Sequence, residues 1–230
     1  MSSIGRGLFT LFMPPVCIGC GVGIEPICIK CAVNLRPSPR IVRDRPFPIA
    51  SSLTYGKSSA SVVLAAKEDG NKLACQVLAS AIASSVSIII EEISLREQVT
   101  LTWIPSTRPS RSRRGRDFPA LLAKMVLTES ERLRGLSRLH ADKLMLRPLF
   151  GWNRSVNDQS KLRANERTSN LQGALYADKA IGCRDPVIII DDVITTGSTL
   201  NEAFRALRER NLTPVGAATA CATERRMLIR

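Results

Sequence analysis

The chain has 230 residues, and its longest apolar stretch, residues 77–90, contains four serines, so no membrane span is expected. The net charge of +13 favours polyanionic partners, such as nucleic acid, pyrophosphate-bearing substrates or an acidic membrane surface. Aromatic residues make up only 4% of the chain, which argues against the base-stacking platforms of single-strand-binding proteins. We expect a globular, cytoplasmic protein.

Four cysteines near the N-terminus are arranged in two Cys-x-x-Cys pairs: Cys17, Cys20, Cys28 and Cys31. Two such pairs supply the four thiolates of a tetrahedral zinc site, so one structural zinc ion is predicted. A disulfide pair or a redox motif is the alternative. No signal peptide is expected, which disfavours structural disulfides, and a redox motif would not be doubled. Three further cysteines are predicted to be buried thiols: Cys75, Cys183 and Cys221. His140 is predicted to lie at the surface.

Composition divides the chain into a zinc-knuckle module (1–36), a linker rich in proline and arginine (37–46) and a main domain (47–230). Strands are predicted at residues 49–55, 99–104, 143–150, 174–177, 187–193 and 215–221. Helices are predicted at residues 58–67, 72–90, 118–127 and 200–210, and residues 158–170 are predicted as a polar helix or loop. Strands that alternate with helices predict an α/β fold, with a mostly parallel sheet and helices on both faces.

Five arginines lie within nine residues just beyond a predicted strand: Arg108, Arg111, Arg113, Arg114 and Arg116. We predict that this arginine-dense segment (108–116) is a loop. Taken singly, each arginine is expected to be solvated. As a group they favour contact with an anion, either a phosphate or a nucleic-acid backbone.

Residues 187–199 form the most informative segment. A run of aliphatic residues predicts a strand buried on both faces, and it ends in Asp191 and Asp192. The hydroxyl-rich residues 195–199 then precede a helix, where backbone N–H groups and the helix dipole form an anion site. Gly197 allows a phosphate to approach the backbone, and the carboxylates can accept hydrogen bonds from vicinal hydroxyls. The layout suits a sugar phosphate, whereas the alternative is a buried strand that ends in two solvated acids.

This segment resembles the 5-phosphoribosyl-1-pyrophosphate (PRPP) signature of type I phosphoribosyltransferases. The resemblance implies that Asp191 and Asp192 hold the ribose hydroxyls and are the catalytic residues. It also implies a cradle for the 5′-phosphate made of Thr195, Thr196, Gly197, Ser198 and Thr199. Because base-recognising residues of such enzymes lie in variable segments, no acceptor pocket is predicted.

The chain has zinc knuckles near its N-terminus and a PRPP signature near its C-terminus. This layout is similar to that of the ComF family, which is linked to DNA uptake in natural transformation. Other landmarks that resemble the family are Lys67 with Gly70, Trp103 to Ser106, and the set Gln159, Arg167, Asn170 and Gly173. Two features depart from the family. Residues 32–50 lack a second set of cysteine pairs, and the Arg-Gly-Phe-Asn motif appears only as Arg114-Gly115-Arg116-Asp117-Phe118.

The resemblance implies that PRPP binds with Mg²⁺ and reacts at ribose C1, with pyrophosphate as the leaving group. Lys67, Arg113 and Arg114 are then candidates to bind the pyrophosphate. A DNA-uptake role implies single-stranded DNA and the uptake machinery as partners. Two alternatives stay open: a non-catalytic PRPP sensor that binds single-stranded DNA, and a nucleobase-salvage phosphoribosyltransferase. The acceptor is a base, water or none.

Overall fold

The computed structural model describes residues 16–42, 46–94, 98–133, 143–153, 171–178 and 185–223. In these residues, eight strands form a six-stranded and a two-stranded sheet. The strands are β1 (Arg40–Ile41), β2 (Ile49–Thr54), β3 (Val99–Trp103), β4 (Leu144–Leu146), β5 (Phe150–Trp152), β6 (Leu175–Ala177), β7 (Pro186–Ile194) and β8 (Thr213–Ala222). The larger sheet has the order β1-β2-β8-β7-β3-β4, and β5 pairs with β6.

The helices in these residues are α1 (Ile29–Asn34), α2 (Lys57–Leu64), α3 (Lys72–Glu92), α4 (Arg108–Arg114), α5 (Phe118–Leu133) and α6 (Ser198–Arg208). Helix α2 continues directly into a π-helical turn, Ala65–Asp69, which we call the π turn. Helix α3 begins after Asn71, whose side-chain oxygen accepts the backbone N–H of Ala74 at 3.0 Å and so caps the first turn.

Five neighbouring strands of this sheet, in the order β2-β8-β7-β3-β4, run parallel to one another. Strand β1 is antiparallel to its neighbour β2. Side chains alternate along β7, so Ile188 and Ile190 face the core beneath α3 and α5, while Val187 and Ile189 face the core beneath α6. The sheet is therefore buried on both faces, as its continuous aliphatic run indicates. The predicted α/β architecture, a mostly parallel sheet with helices on both faces, is confirmed.

Strand β7 extends past its two acids. Pairing with β8 joins Asp191 to Thr219 and continues to Ile194 opposite Ala222. The acids therefore lie within a paired strand, near the carboxyl ends of the parallel strands, rather than on a loop. The pairing of β7 with β8 changes register between Val187, which lies opposite Pro214, and Ile188, which lies opposite Gly216.

The hairpin of β5 and β6 is attached to helix α6. Glu202 is buried, and its Oε1 accepts the backbone N–H of Leu175 at 3.1 Å. Arg205 donates to the carbonyl oxygen of Leu175 at 2.7 Å and to both oxygens of Glu202. These contacts fix the hairpin beside the helix that begins at residue 198.

The cysteine module packs onto the main core. Cys17, Cys31 and Leu35 are buried in the same hydrophobic cluster as helix α3. The predicted linker contains strand β1, which pairs with β2, and the N–H of Val42 donates to the carbonyl of Ile49 at 2.7 Å. The module is thus joined to the sheet by an ordered edge strand.

Two predicted elements were wrong. The arginine-dense segment is a helix, α4, rather than a loop. The strand predicted at residues 143–150 is divided between two sheets, because Pro148 has no N–H to continue the ladder after β4. Cys75 and Cys221 are buried, as predicted. The predictions for His140, Cys183 and residues 158–170 fall outside the described residues.

Helix α3 is long and apolar enough, by length and composition alone, to cross a membrane. Most of its apolar stretch is buried inside the protein, against β2, β8 and α5. A buried core helix of a globular domain can meet the same criteria, so the finding is weak evidence for a span.

Candidate functional site

The turn between β7 and α6 has the backbone geometry of an anion site. Gly197 caps the helix with φ of 80°, in the left-handed region that glycine favours. Within the turn, the hydroxyls of Thr196 and Ser198 lie 3.0 Å apart, and the N–H of Ser198 approaches Thr196 Oγ1 at 3.4 Å. The first N–H groups of an α-helix have no partner within the helix, so this end favours negative charge.

The two acids of β7 differ in their surroundings. Asp192 is buried, and its Oδ2 accepts a hydrogen bond from the ammonium of Lys67 at 2.5 Å. Asp191 is half-buried, and its Oδ1 accepts the backbone N–H of Asp192 at 2.9 Å. One acid is therefore neutralised by a cation, and the other lies beside it on the same central strand.

These surroundings move the pKa values of the two acids in opposite directions. Burial, together with the adjacent charge of Asp192, raises the pKa of Asp191 to about 8. Burial alone would raise the pKa of Asp192 as well, but the ammonium of Lys67 holds it below its ordinary value. The same ion pair raises the pKa of Lys67. The pair of acids thus carries a proton more readily at Asp191 than at Asp192.

Lys67 is presented by the π turn, which contacts the arginine-dense segment. Arg114 is mostly buried and donates to Oε1 of Glu68 through Nε at 3.1 Å and Nη2 at 2.7 Å. Arg113 is more exposed and lies 3.6 Å from the same carboxylate oxygen. Of the three residues predicted to bind pyrophosphate, Lys67 therefore faces the acids, while the two arginines are ion-paired with Glu68.

A polar cleft of about 500 Å³ opens beside this segment, between the end of β3 and strand β5. Its walls include Pro105, Thr107, Arg108, Arg111, Phe150 and Trp152. Trp152 is fixed by its indole N–H, which donates to the carbonyl of Pro105 at 3.0 Å. No acceptor pocket was predicted, and the pairing of Trp152 with a strand end 47 residues earlier has no local signal in the sequence.

Two residues of the degenerate family motif have structural contacts that the sequence did not indicate. Asp117 accepts the backbone N–H of Ser106 at 3.2 Å and the guanidinium of Arg111 at 2.7 Å. Arg116 donates to backbone carbonyls of the π turn. Both therefore connect the loop after β3 to its neighbours.

The four cysteines come together as predicted. Their Sγ atoms all lie within 4.8 Å of one another. Tetrahedral coordination at the usual Zn–S length puts sulfurs about 3.8 Å apart, and the Sγ atoms of Cys20 and Cys28 are 3.8 Å apart. Cys17 and Cys31 are buried, and Cys31 Sγ lies 3.5 Å from the hydroxyl of Ser58 in the first turn of α2. The cluster can hold a metal ion such as zinc.

Comparison with known proteins identifies the class of the domain. Residues 156–228 match the family described as "Phosphoribosyl transferase domain", and this stretch includes β7, the turn and α6. The sheet and this match together define a type I phosphoribosyltransferase-like fold. The narrower resemblance to the ComF family stays a prediction. No curated protein matches the chain.

The solved structures similar to this chain include two crystal structures of a hypoxanthine phosphoribosyltransferase from Staphylococcus aureus. One has 12% identity and a TM-score of 0.35, with 66% of this chain and 67% of that chain covered. The other has 13% identity and a TM-score of 0.33, with 66% of each chain covered. Similarity this weak bears on neither the substrate nor the partners of the present protein.

Proposed function

We propose that this protein binds PRPP with Mg²⁺ and acts at ribose C1, with pyrophosphate as the leaving group. The observation that carries the proposal is the phosphoribosyl transferase match, which contains two acids in a paired strand followed by a glycine-capped helix N-terminus. A sugar phosphate needs both features within a few ångströms of each other. Their order along one strand, turn and helix supplies them together.

The proposed roles follow from the chemistry of each group. Asp191 and Asp192 accept hydrogen bonds from the vicinal ribose hydroxyls. The 5′-phosphate is bound by the backbone and hydroxyls of Thr195, Thr196, Gly197, Ser198 and Thr199. The ammonium of Lys67 contacts the pyrophosphate, either in place of Asp192 or together with it.

Arg113 and Arg114 are also proposed to bind the pyrophosphate, with different contributions. Arg113 has a side chain that is 56% exposed, and its guanidinium lies 3.6 Å from Glu68, so it is more accessible to an anion than Arg114 is. Arg114 is buried against the same carboxylate, so its direct contribution requires that contact to break. Arg113 is therefore expected to contribute more to direct contact.

Mg²⁺ fits the proposed site because hard cations prefer oxygen donors. The carboxylates of Asp191 and Asp192 supply such donors on β7, beside the proposed position of the pyrophosphate. When bound, the ion neutralises charge that develops on the leaving pyrophosphate. The protein fixes the ribose and phosphate, so that the ring is held while the bond at C1 lengthens toward an oxocarbenium-like state.

Pyrophosphate release tests the proposal. The protein is incubated with PRPP and Mg²⁺, alone or with nucleobases or single-stranded DNA, and calorimetry measures PRPP affinity in parallel. We expect binding that depends on Mg²⁺ and pyrophosphate release with one of these acceptors or with water. Absence of PRPP binding would overturn the proposed function, whereas binding without release under every condition would leave a ligand sensor.

A PRPP-sensing protein that binds single-stranded DNA is the second candidate. The exposed arginines of α4, which include Arg108, Arg111 and Arg113, favour it, together with the net charge of +13. A cytoplasmic, ComF-like role in DNA uptake combines DNA contact with a PRPP site. The polar cleft beside Trp152 instead suits a small acceptor, as a nucleobase-salvage enzyme requires. Pyrophosphate release that occurs with free bases but not with DNA would indicate a salvage enzyme.

For the cysteine cluster we propose one structural zinc ion. Four thiolates without an open position close the coordination sphere, so the ion stabilises the fold and takes no part in catalysis.

A further inference from the structure

Helix α2 changes its winding just before Lys67. Residues Ala65–Asp69 form a π turn, and Lys67 lies at its centre. Such turns occur mostly as single insertions in helices, frequently at functional sites. The ammonium reaches Asp192 from this turn, so its position depends on whatever holds the turn in this winding.

The end of the π turn presents carbonyls that the helix itself leaves unpaired. The N–H groups of Gly70 and Asn71 both donate to the carbonyl oxygen of Ala65. The three following carbonyls lie near one nitrogen, Nη2 of Arg116. Its distances are 3.3 Å to Ala66, 3.1 Å to Lys67 and 3.4 Å to Glu68. Because the carboxyl end of a helix carries partial negative charge, a guanidinium stabilises it.

Gly70 makes room for this guanidinium. Its φ of 67° lies in the left-handed region, which disfavours a side chain. A Cβ at this position would lie 2.9 Å from Cζ and from both terminal nitrogens of Arg116. Because Gly70 has no side chain, the guanidinium of Arg116 can lie against the backbone at this position.

A second arginine holds the same turn through a side chain. Arg114 donates twice to Glu68 and is only 9% exposed. Gly115 separates the two arginines with φ of 66°, which turns the chain between them. Arg116 thus binds the backbone of the π turn, and Arg114 binds the side chain of Glu68 in the same turn.

We propose that Arg116 is a positioning residue, which sets the π turn that presents Lys67 to Asp192 and affects ligand binding only through Lys67. The guanidinium donates to backbone carbonyls instead of contacting an anion, which distinguishes this role from the anion contact expected of the arginine-dense segment. The ligand-based test rests on the proposed function, and a second test does not.

The first test is a double-mutant cycle on PRPP affinity, measured by calorimetry with Mg²⁺. The four proteins are the parent, Arg116→Met, Lys67→Met and the double variant. We expect Arg116→Met to weaken binding about tenfold in the parent and less than about twofold in the Lys67→Met background. Equal losses in both backgrounds would overturn the proposal, because they would show an action independent of Lys67.

Two further variants sharpen this cycle. Arg116→Lys keeps a cationic donor beside the carbonyls and should recover much of the affinity. Arg132→Met makes the same chemical change on α5, where Arg132 is exposed and paired with Glu129, and should leave the affinity unchanged. Circular dichroism checks folding. If Arg116→Met does not fold, Arg116→Gln, which keeps one amide donor, takes its place with the same expectations.

The second test needs no ligand. Acylation of the free protein by acetic anhydride is followed at each lysine by mass spectrometry. Lys67 should react slowly in the parent, because the ion pair keeps it protonated, and several-fold faster in Arg116→Met. Lys124, exposed on α5, is the reference and should not change. An unchanged rate at Lys67 would overturn the proposal. A faster rate in a protein that fails to bind PRPP would support the positioning role while the proposed function fails.

Discussion

The ammonium of Lys67 lies 2.5 Å from Oδ2 of Asp192, a residue 125 positions away in sequence. This pair joins the helix after the first parallel strand to the strand at the centre of the sheet. The lysine neutralises a carboxylate that we propose for ribose binding. The two acids of β7 are therefore unequal, and changes to them should have different effects.

Replacing Asp192 with asparagine should destabilise the protein, because Lys67 loses its buried counter-ion. A buried partner of this kind contributes on the order of 1–3 kcal/mol, and the partial exposure of Lys67 places the expected loss toward the lower end. Urea unfolding at pH 7 measures the effect. A variant as stable as the parent would show that the pair contributes nothing to the fold.

Replacing Asp191 with asparagine should stabilise the ligand-free protein. The folded pKa of Asp191 is raised to about 8, whereas an unfolded aspartate titrates near about 3.9. Deprotonation therefore opposes folding, and the cost increases as the pH rises from the unfolded value to the folded one. The advantage of the variant, on the order of 1 kcal/mol, should be present at pH 8 and absent at pH 4. An equal advantage at both values would contradict the assignment.

Both asparagine variants should weaken PRPP binding. Above about pH 8, where both acids are charged, loss of one charge-assisted hydrogen bond costs about 1.5–3 kcal/mol, which corresponds to roughly ten- to hundred-fold in affinity. Calorimetry with Mg²⁺ measures the change, and zinc content serves as the control because the cysteine cluster is separate. Parent-like affinity in the double variant would exclude the acids from the ligand site.

Replacing Cys28 with serine should remove the zinc ion. Cys28 supplies one of four thiolates and directly precedes helix α1, so loss of the metal should unfold mainly the N-terminal module. Metal analysis of reduced protein should give close to one zinc per chain in the parent. Cys75→Ala, which changes a buried thiol outside the cluster, should keep the metal. A zinc-free parent would contradict the assignment.

Replacing Arg108, Arg111 and Arg113 together with alanine should weaken binding of single-stranded DNA and flatten its salt dependence. If all three contact phosphates, the slope of log affinity against log salt should fall by roughly 2. The matched control is alanine at Arg132, Arg208 and Arg210, which removes the same charge from exposed positions elsewhere. Equal effects of both triple variants would mean that DNA responds to net charge and not to α4.

Replacing Glu202 with glutamine should loosen the hairpin of β5 and β6. Burial alone would raise the pKa of Glu202, but the hydrogen bonds from Arg205 hold it below its ordinary value. The charged form thus stabilises the fold above the unfolded pKa, and this contribution is lost as the pH falls. The variant should lose about 2 kcal/mol at pH 7 and much less at pH 3, as measured by denaturant unfolding. A loss that does not depend on pH would contradict this account.

The sequence predicted the strand, turn and helix of the candidate site because their signals are local. Strand, acids, turn and helix follow one another within residues 186–208, and hydrophobic pattern and glycine placement identify each. The cysteine cluster was predicted for the same reason. The pairing of Lys67 with Asp192 depends on the order of strands in the sheet, and no local pattern encodes that order.

The helix at the arginine-dense segment could have been predicted. Thr107 precedes it, Pro109 stands in its first turn and Gly115 ends it in the left-handed conformation. These are ordinary start and stop signals, which the density of arginines concealed. By contrast, the contacts of Arg114 and Arg116 with residues 66–68 arise only when the loop after β3 meets the π turn.

The continuation of β7 beyond its acids has a consequence for protein engineering. Because side chains alternate along a paired strand, inserting a single residue before Asp191 would move Asp191 into the place of Asp192, facing the lysine, and would turn Asp192 to the opposite face. The sheet does not impose this constraint on the turn that begins at Thr195. Changes of length intended to alter ligand preference are therefore best confined to residues beyond Ile194, where a longer or shorter loop leaves both carboxylates in place.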